Sequence, residues 1–253
     1  MQKISVLNGQ GYVALVNSMG NDKAILDAAR VSYDKDSIGH GIEAPFMTEK
    51  DEKLLRYLLT NKHTSPFEHV QLSFEVSAPI FVFRQWHRHR TWSYNEISAR
   101  YTELPADFYV PSVEDIGVQH SSNKQMRQSV ALDEAAEIDR TIQIREYIAT
   151  CKEAYARYKE LIGAGWPREL ARAVLPVATF SRMVATVDLH NLMGFLRLRL
   201  HEHAQKEIRE YAVAMLSLMS IVAPLTTIIF RQSLYGQKGY EWLTPSISTE
   251  NLS

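Results

Sequence analysis

Three arginines and two histidines lie within the seven residues Arg84–Arg90. On a helix, residues four apart share a face, so Arg84 and Arg88 would repel each other unless an anion lay nearby. The planar guanidinium group matches phosphate and carboxylate groups, and the neighbouring Trp86 and Trp92 indicate a site partly removed from water. The segment therefore predicts an anion site. The alternative is a solvated basic helix end, which the helix dipole would favour.

The residues that follow form a loop dense in hydrogen-bonding side chains, with Ser93, Asn95, Glu96, Ser98 and Arg100 in close succession. Serine and asparagine are ordinary turn residues, but a turn requires neither Glu96 nor Arg100. No base adjacent to Ser98 is evident to activate its hydroxyl, so ligand binding is favoured over nucleophilic attack. We expect this loop to hold the polar groups of a ligand.

Composition excludes several classes of protein. The chain has 253 residues, 45% of them hydrophobic and 23% charged, as in ordinary globular domains. A net charge of −1 argues against general attraction to nucleic acid or membrane. Cys151 is the only cysteine, which excludes an internal disulfide and a cysteine-rich zinc site and fits a reducing cytoplasm. We expect no metal site, no secretory signal and no membrane span.

Hydrophobic periodicity and capping residues predict the elements that position these residues. Asn21 or Asp22, Thr48 with Asp51, and Asp188 are the expected helix caps. Helices are predicted over residues 22–32, 48–61, 80–90, 132–162, 167–174, 188–200 and 204–221. Strands are predicted over residues 3–6, 11–17, 71–77 and 178–187. Loops are predicted over residues 35–45 and 91–98, an extended segment over 99–110, and a mobile polar excursion over 111–130.

Helical and strand patterns are mixed without regular βαβ alternation, and no long linker divides the chain. This favours a single α+β domain with a mostly antiparallel sheet packed against long helices. The predicted domain covers residues 1–235, and residues 236–253 are expected to be a loosely ordered tail. A GxGxxG motif and a P-loop are both absent, so a Rossmann nicotinamide site is not supported.

The motif Arg88-His89-Arg90, seven residues and then Ser98 resembles the signature of flavin-dependent thymidylate synthases. The resemblance extends over most of residues 10–235, and the order of the matching blocks is that of the family. These blocks are residues 28–32, 65–69, 84–86, 93–101, 167–172, 175–176, 198–199 and 204–205.

The resemblance implies an α+β homotetramer that converts dUMP to dTMP in the cytoplasm, with active sites shared between subunits. Methylenetetrahydrofolate would supply the one-carbon unit, and NADPH would reduce a bound FAD that supplies the hydride. Ordinary thymidylate synthases use a cysteine nucleophile. Cys151 lies within the predicted helix 132–162, where an inert thiol is favoured, so a route without a cysteine is expected.

The resemblance also assigns residues to the site. Arg199 is expected to polarise the pyrimidine ring, with Arg88 and Ser98 completing the catalytic set. The expected dUMP-binding residues are Gln85, Arg88, Glu96, Ser98, Ala99, Arg100, Arg172 and Arg199. The expected FAD-binding residues are Ser32, His63, Ser65, Glu68, Arg88, His89, Arg90, Thr91, Asn95, Asp188, His190, His203 and Gln205.

The sequence departs from the family pattern in one block. Asp188 stands where many members have asparagine, and Gly194 stands where a flavin-contacting side chain is common. A carboxylate cannot donate a hydrogen bond to a flavin carbonyl unless it is protonated. Three alternatives remain: a phosphate-recognising nucleic-acid binder, a flavoenzyme acting on another nucleotide, and a catalytically silent scaffold. The expected partners are dUMP, folate and NADPH, with no nucleic acid or membrane.

Overall fold

A computed structural model describes residues 2–32 and 48–243. The predicted loop over residues 35–45 and the last ten residues of the predicted tail lie outside the described residues. No helix in the two described ranges combines the length and the apolar character that crossing a bilayer demands.

A five-stranded antiparallel sheet forms the centre of the fold, with strand order β1-β2-β3-β7-β4. The strands are β1 (Gln2–Val6), β2 (Gly11–Met19), β3 (Gln71–Pro79), β4 (Ser93–Glu96) and β7 (Phe180–Asp188), and a separate two-stranded ribbon is formed by β5 (Val118–Gln119) and β6 (Arg127–Gln128). The prediction of an α+β domain with an antiparallel sheet is confirmed, as are the hairpin and the strands around residues 71–77 and 178–187.

Alternation along β3 and β7 places one face of the sheet in the core. Leu72 pairs with Val187 and Phe74 pairs with Ala185, and all four side chains are buried. Because side chains alternate between faces along a strand, this register directs the apolar residues of both strands toward the helices.

The helices pack around this sheet. They are α1 (Asp22–Val31), α2 (Glu49–Thr60), α3 (Ile80–Trp86), α4 (Val113–Ile116), α5 (Glu134–Gly163), α6 (Arg168–Ala171), α7 (Leu189–Arg199), α8 (Lys206–Val222) and α9 (Pro224–Leu234), with 3-10 turns at Ser65–His69 and Arg172–Val174. The predicted caps are confirmed: Asn21 caps α1, Thr48 and Asp51 form a capping box on α2, and Asp188 caps α7.

Two local predictions around the arginine-rich segment were wrong. α3 ends at Trp86, because the chain turns at His87–Arg90 instead of continuing the helix to Arg90. Ser93–Glu96 is not an irregular loop but the edge strand β4, which pairs with β7 from Thr186 to Met183.

The 111–130 segment, predicted as a mobile polar excursion, contains secondary structure that the sequence did not predict. It contains α4, β5 and β6, and it is tied to α8 by ion pairs of Arg127 with Glu207 and of Lys206 with Asp115. The segment before it was predicted as extended; it begins with a turn at residues 99–102 and then has no regular secondary structure apart from a single bridge from Phe108 to Thr179.

The beginning of the predicted tail packs against the body of the protein. Tyr240 and Leu243 are buried, and the Tyr240 hydroxyl donates to the Arg197 carbonyl at the end of α7. The expectation of loose order is therefore wrong for residues 236–243.

Trp86 lies at the centre of an aromatic cluster that joins α3 to α7, α8 and the chain before β4. Its ring centroid lies 5.0 Å from that of Phe195, 5.8 Å from that of Tyr211 and 6.0 Å from that of Trp92. Trp86 is fully buried. Because aromatic side chains bury large areas, this cluster holds the arginine-rich segment in place.

Replacing Trp86 by alanine is expected to lower the free energy of unfolding by about 3–5 kcal/mol, because the cavity left at the centre of this cluster cannot collapse fully. Urea denaturation measures the change. The matched control is Trp242→Ala, since Trp242 is 44% exposed and its loss is expected to cost less than about 1 kcal/mol. Equal effects of the two substitutions would contradict this role of Trp86.

Candidate functional site

The carboxyl-terminal ends of α3 and α7 meet at the arginine-rich segment. Arg199, in the last turn of α7, donates from Nε to Nε2 of His89 at 3.0 Å and from Nη2 to the backbone carbonyl of Gln85 at 3.0 Å. Arg199 is half-buried, and burial lowers its pKa, but a guanidinium remains charged in proteins. The cation is thus held in one orientation by two acceptors.

His89 is neutral at this position. Burial, together with the nearby charge of Arg199, lowers the pKa of His89 to about 4. Because Nε2 accepts the hydrogen bond from Arg199, the ring proton of the neutral imidazole lies on Nδ1. The His89 carbonyl in turn accepts from the Tyr94 hydroxyl at 2.7 Å, which ties the turn to β4.

A chain of hydrogen bonds leads from Gln85 into the core. The Gln85 amide donates to Oε1 of Gln205, and Gln205 donates from Nε2 to Glu207 at 2.7 Å. The Glu207 carboxylate, on α8, is 1% exposed and also accepts from the Tyr109 hydroxyl and from Arg127, both at 2.9 Å.

A cavity of about 520 Å³ lies on another side of α3. Its wall includes three residues predicted to bind the nucleotide, Glu96, Ala99 and Arg172, together with Arg84 and His87. The cavity therefore has two arginines for an anion and two carboxylates, those of Glu96 and Glu169, for hydrogen-bond donors.

The loop at the edge of this cavity is tied to α6. Arg100 pairs with Glu169 at 3.3 Å, and Ser98 Oγ accepts from the Arg100 backbone N–H at 3.3 Å. Arg172 donates to the Glu169 carbonyl at 3.4 Å. Both predicted arginines, Arg100 and Arg172, thus meet at Glu169.

α3 separates the predicted nucleotide-binding residues into two groups. Ile80, Phe83, Arg84 and His87 line the 520 Å³ cavity with Glu96, Ala99 and Arg172, as residues spaced by three and four do on one helix face. The Gln85 side chain points elsewhere, toward Gln205, and the Gln85 backbone carbonyl accepts from Arg199. Within one chain, the structure does not bring the two groups together.

A second cavity, of about 660 Å³, lies between the end of α2 and α7. Two residues predicted to bind the flavin, His63 and His190, line this cavity. Gly194 and apolar side chains such as those of Phe67 and Met193 line it as well. A Cβ added at Gly194 would meet no atom within 4 Å, so the glycine opens onto free space. Apolar walls with a few polar groups are typical of cofactor sites.

The remaining predicted flavin residues lie outside this cavity. Asp188 uses both carboxylate oxygens to cap α7, accepting from the Asn191 backbone at 2.9 Å and its side chain at 2.6 Å. His89 and Gln205 belong to the Arg199 and Glu207 networks, and His203 lines a smaller cavity beside Gln205. The side chains exposed on the surface are Ser32, Ser65, Glu68, Arg88, Arg90, Thr91 and Asn95.

Several residues of these sites were not assigned from the sequence. Arg84 and His87 belong to the arginine-rich segment, and their spacing with Ile80 marks the face that lines the cavity. Arg197 lines the 660 Å³ cavity and packs over the Phe230 ring at 5.4 Å. Glu207 carried no signal beyond an acidic residue on an apolar helix.

Metal binding finds no support in the part of the chain that the structure describes, because no three histidine, cysteine, aspartate or glutamate side chains come together as a ligand set there.

Comparison with known proteins gives one consistent family. The family described as Thy1, thymidylate synthase complementing protein, matches residues 14–225. A flavin-dependent thymidylate synthase of Treponema denticola is 45% identical over 225 residues, which cover 88% of this chain and 80% of the relative. One from Thermus thermophilus is 44% identical over 226 residues, covering 89% of this chain and 77% of the relative.

A solved structure is similar over nearly the same length. The UMP/dUMP methylase PolB from Streptomyces cacaoi, bound with 5-Br dUMP, superposes with a TM-score of 0.78 at 34% identity. The match covers 90% of this chain and 97% of that chain.

Titration of His89 by NMR is expected to give a pKa of about 4. Replacing Arg199 by methionine removes the neighbouring charge, so the pKa of His89 is expected to rise toward 6.5 while burial still holds it below that value. In wild type, the unfolded chain binds this proton at a higher pH than the folded chain does. The stability that His89 contributes is therefore complete above about pH 6.5 and is lost as the pH falls toward about 4. A wild-type pKa at or above the ordinary 6.5 would contradict the effect assigned to burial and to Arg199.

Proposed function

Because the chain belongs to the flavin-dependent thymidylate synthase family, we propose how its residues divide the synthesis of dTMP from dUMP. Flavin-dependent thymidylate synthesis is the activity of relatives that are 44–45% identical over nearly nine tenths of the chain. The observation in the structure that best supports this activity is the position of the Arg199 guanidinium. It is hydrogen-bonded to His89 and to the Gln85 carbonyl, both in the arginine-rich segment. We further propose FAD as the flavin, methylenetetrahydrofolate as the one-carbon donor and NADPH as the reductant.

Arg199 is the residue that we propose polarises the uracil ring. Two of its N–H groups are occupied by protein acceptors at 3.0 Å, which leaves the others for a ligand, since a guanidinium has five. A fixed cation beside a uracil carbonyl stabilises the negative charge that develops there during attack at the ring. Neutral His89 permits this because it accepts from Arg199 without adding a second positive charge.

The reaction cannot depend on a cysteine nucleophile of the usual kind. Cys151 is the only cysteine of the sequence, and it is 4% exposed on α5. Burial raises the pKa of the Cys151 thiol, which favours the unreactive protonated form. The hydride and the one-carbon group must therefore reach a ring that is activated without covalent attachment to Cys151.

The 660 Å³ cavity suits part of a flavin. Leu58, Phe67 and Met193 supply apolar surface, and His63 and His190 supply hydrogen-bonding groups. Lys62 and Arg197 also line this cavity, which has no carboxylate among its described lining residues, so an anionic group of the cofactor would be favoured there. When bound, the flavin supplies the hydride; the protein's part is to exclude water and hold the ring beside the nucleotide.

We propose a site shared between subunits because α3 divides the predicted nucleotide-binding residues between two faces. Arg172 and Glu96 line a cavity on one side, whereas Gln85 and Arg199 hydrogen-bond to each other on the other, and a second copy would bring one group to the nucleotide that the other holds. Exposed apolar residues such as Ile138 and Ile142 on α5, 56% and 47% exposed, support an assembly that covers them. We propose a homotetramer.

The direct test of the activity is flavin absorbance of the purified protein, followed by tritium release from C5-labelled dUMP with methylenetetrahydrofolate and NADPH. UMP is assayed in parallel, because the similar solved structure is of a UMP/dUMP methylase. A colourless protein that FAD cannot reconstitute, or one that releases no tritium, would overturn the proposed function. Tight salt-dependent binding of polynucleotides would instead favour the nucleic-acid alternative.

Arg88→Ala is expected to lower turnover by at least about a hundredfold, because it removes a charged group proposed to contact both nucleotide and flavin. Cys151→Ala is expected to retain turnover within about twofold, because the buried thiol takes no part in the chemistry. Initial rates of dTMP formation measure both. The arginine control is Arg56→Ala, an exposed residue of α2 paired with Glu52, which is expected to behave as wild type. Inactivity of folded Cys151→Ala would refute the cysteine-free route.

Complementation tests the shared site. Arg172→Ala and Arg199→Ala proteins are each expected to be inactive alone. When the two are co-expressed as mixed oligomers, about a quarter of the sites should combine an intact Arg172 from one copy with an intact Arg199 from another. Recovery of dTMP formation supports the shared site. Mixed oligomers that are confirmed by native mass spectrometry and remain inactive would show that both arginines act within one chain.

A further inference from the structure

Glu207 is the one carboxylate below 2% exposure in the described part of the chain, and it lies two hydrogen bonds from the proposed nucleotide site. It accepts from the Tyr109 hydroxyl and from Arg127 at Oε1, both at 2.9 Å, and from Gln205 at Oε2 at 2.7 Å. Gln205 in turn accepts from the Gln85 amide. Burying a charge is costly unless it is paired and hydrogen-bonded, and these three donors meet that condition.

The hydrogen bonds from Gln85 to Gln205 and from Gln205 to Glu207 form a relay. Glu207 determines the direction of both. An ionised carboxylate only accepts, so Gln205 must turn its NH₂ group toward Glu207 and its carbonyl oxygen toward Gln85. Gln85 must then turn its own NH₂ group toward Gln205. The carbonyl oxygen of Gln85 consequently points away from the relay, and the side chain presents an acceptor.

We propose that Glu207 is a positioning residue that, through Gln205, fixes the Gln85 amide so that its oxygen accepts a hydrogen bond from the nucleotide. The proposal rests on the proposed function, in which Gln85 contacts dUMP. The nucleotide offers suitable donors in the uracil N3–H and the ribose hydroxyl. Since the Gln85 backbone carbonyl also holds Arg199, the same residue aligns the acceptor and the cation.

The Arg127 contact extends this role to the two-stranded ribbon, since Arg127 is the first residue of β6. Arg127 reaches Glu207 across 80 residues of sequence, with its side chain one third exposed. Together with the Tyr109 hydroxyl, it occupies Oε1 and leaves Oε2 for Gln205. These two donors hold the carboxylate in the rotation that the relay requires.

Glu207→Gln is the variant that reverses the relay. Arg127 and Tyr109 both donate, so they keep the remaining oxygen, and the new NH₂ group faces Gln205. Gln205 and then Gln85 must flip, which leaves a donor facing the donor of the nucleotide. We expect dUMP to bind at least about tenfold more weakly, the usual cost of an unmade hydrogen bond. Calorimetry of the flavin-loaded protein measures this affinity, and the matched control Glu210→Gln, on the same helix, should bind dUMP as wild type does.

Rescue separates orientation from simple damage to the fold. In Glu207→Gln protein, a second change, Gln85→Glu, places a carboxylate that accepts from the flipped Gln205 and again offers an acceptor to dUMP. The double variant is expected to bind dUMP more tightly than either single variant. A double variant no better than the worse single one would overturn the relay.

A third variant keeps the test informative if Glu207→Gln does not fold. Gln205→Met breaks the relay but leaves the ion pair of Glu207 with Arg127 intact, and it should weaken dUMP binding several-fold. Unchanged dUMP affinity in Gln205→Met overturns the relay and leaves the proposed function standing. Failure of the wild-type protein to bind dUMP at all would overturn both.

Discussion

Antiparallel pairing of β3 with β7 sets Pro79 opposite Phe180 and Gln71 opposite Asp188. α3 therefore begins at one end of this strand pair, and α7 begins at the other. The nine-residue strands are about 27 Å long, whereas the helices of seven and eleven residues are about 10 Å and about 16 Å long. Because each helix turns back along its own strand, the two helices end together above the sheet. The contact of Arg199 with the end of α3 depends on this register.

The meeting of two helix ends also explains why a cation is stable there. Unpaired carbonyl groups give the end of each helix a partial negative charge, and the carbonyl of Gln85 accepts directly from Arg199. His89 completes the arrangement as a neutral acceptor, because burial and Arg199 both disfavour its protonation. Within residues 2–32 and 48–243, no carboxylate forms an ion pair with Arg199. The half-buried positive charge thus has a fixed orientation and is available to a ligand.

Local signals predicted the parts of this arrangement that local physics determines. Caps at Thr48 and Asp188 marked helix starts because a side chain only three residues away satisfies the free N–H groups. The edge strand β4 was missed because it is only four residues long, with Tyr94 as its single aromatic side chain, and its order comes from pairing with β7. The motif identified the residues around Arg88, but its spacing could not show that α3 divides them between two faces. The ordering of the 111–130 segment depends on Glu207, 80 residues from Arg127.

Stability alone does not account for Glu207. A well-packed apolar residue in place of a buried ion pair is often neutral or stabilising, whereas removing one partner of such a pair is strongly destabilising. The Glu207 carboxylate therefore adds little to the stability of the fold, and it makes the fold sensitive to the loss of Arg127. What an apolar residue could not do is determine the direction of the hydrogen bonds through Gln205 to Gln85. A buried acceptor that receives three donors, one of which leads to the proposed nucleotide site, is therefore better explained by orientation than by stability.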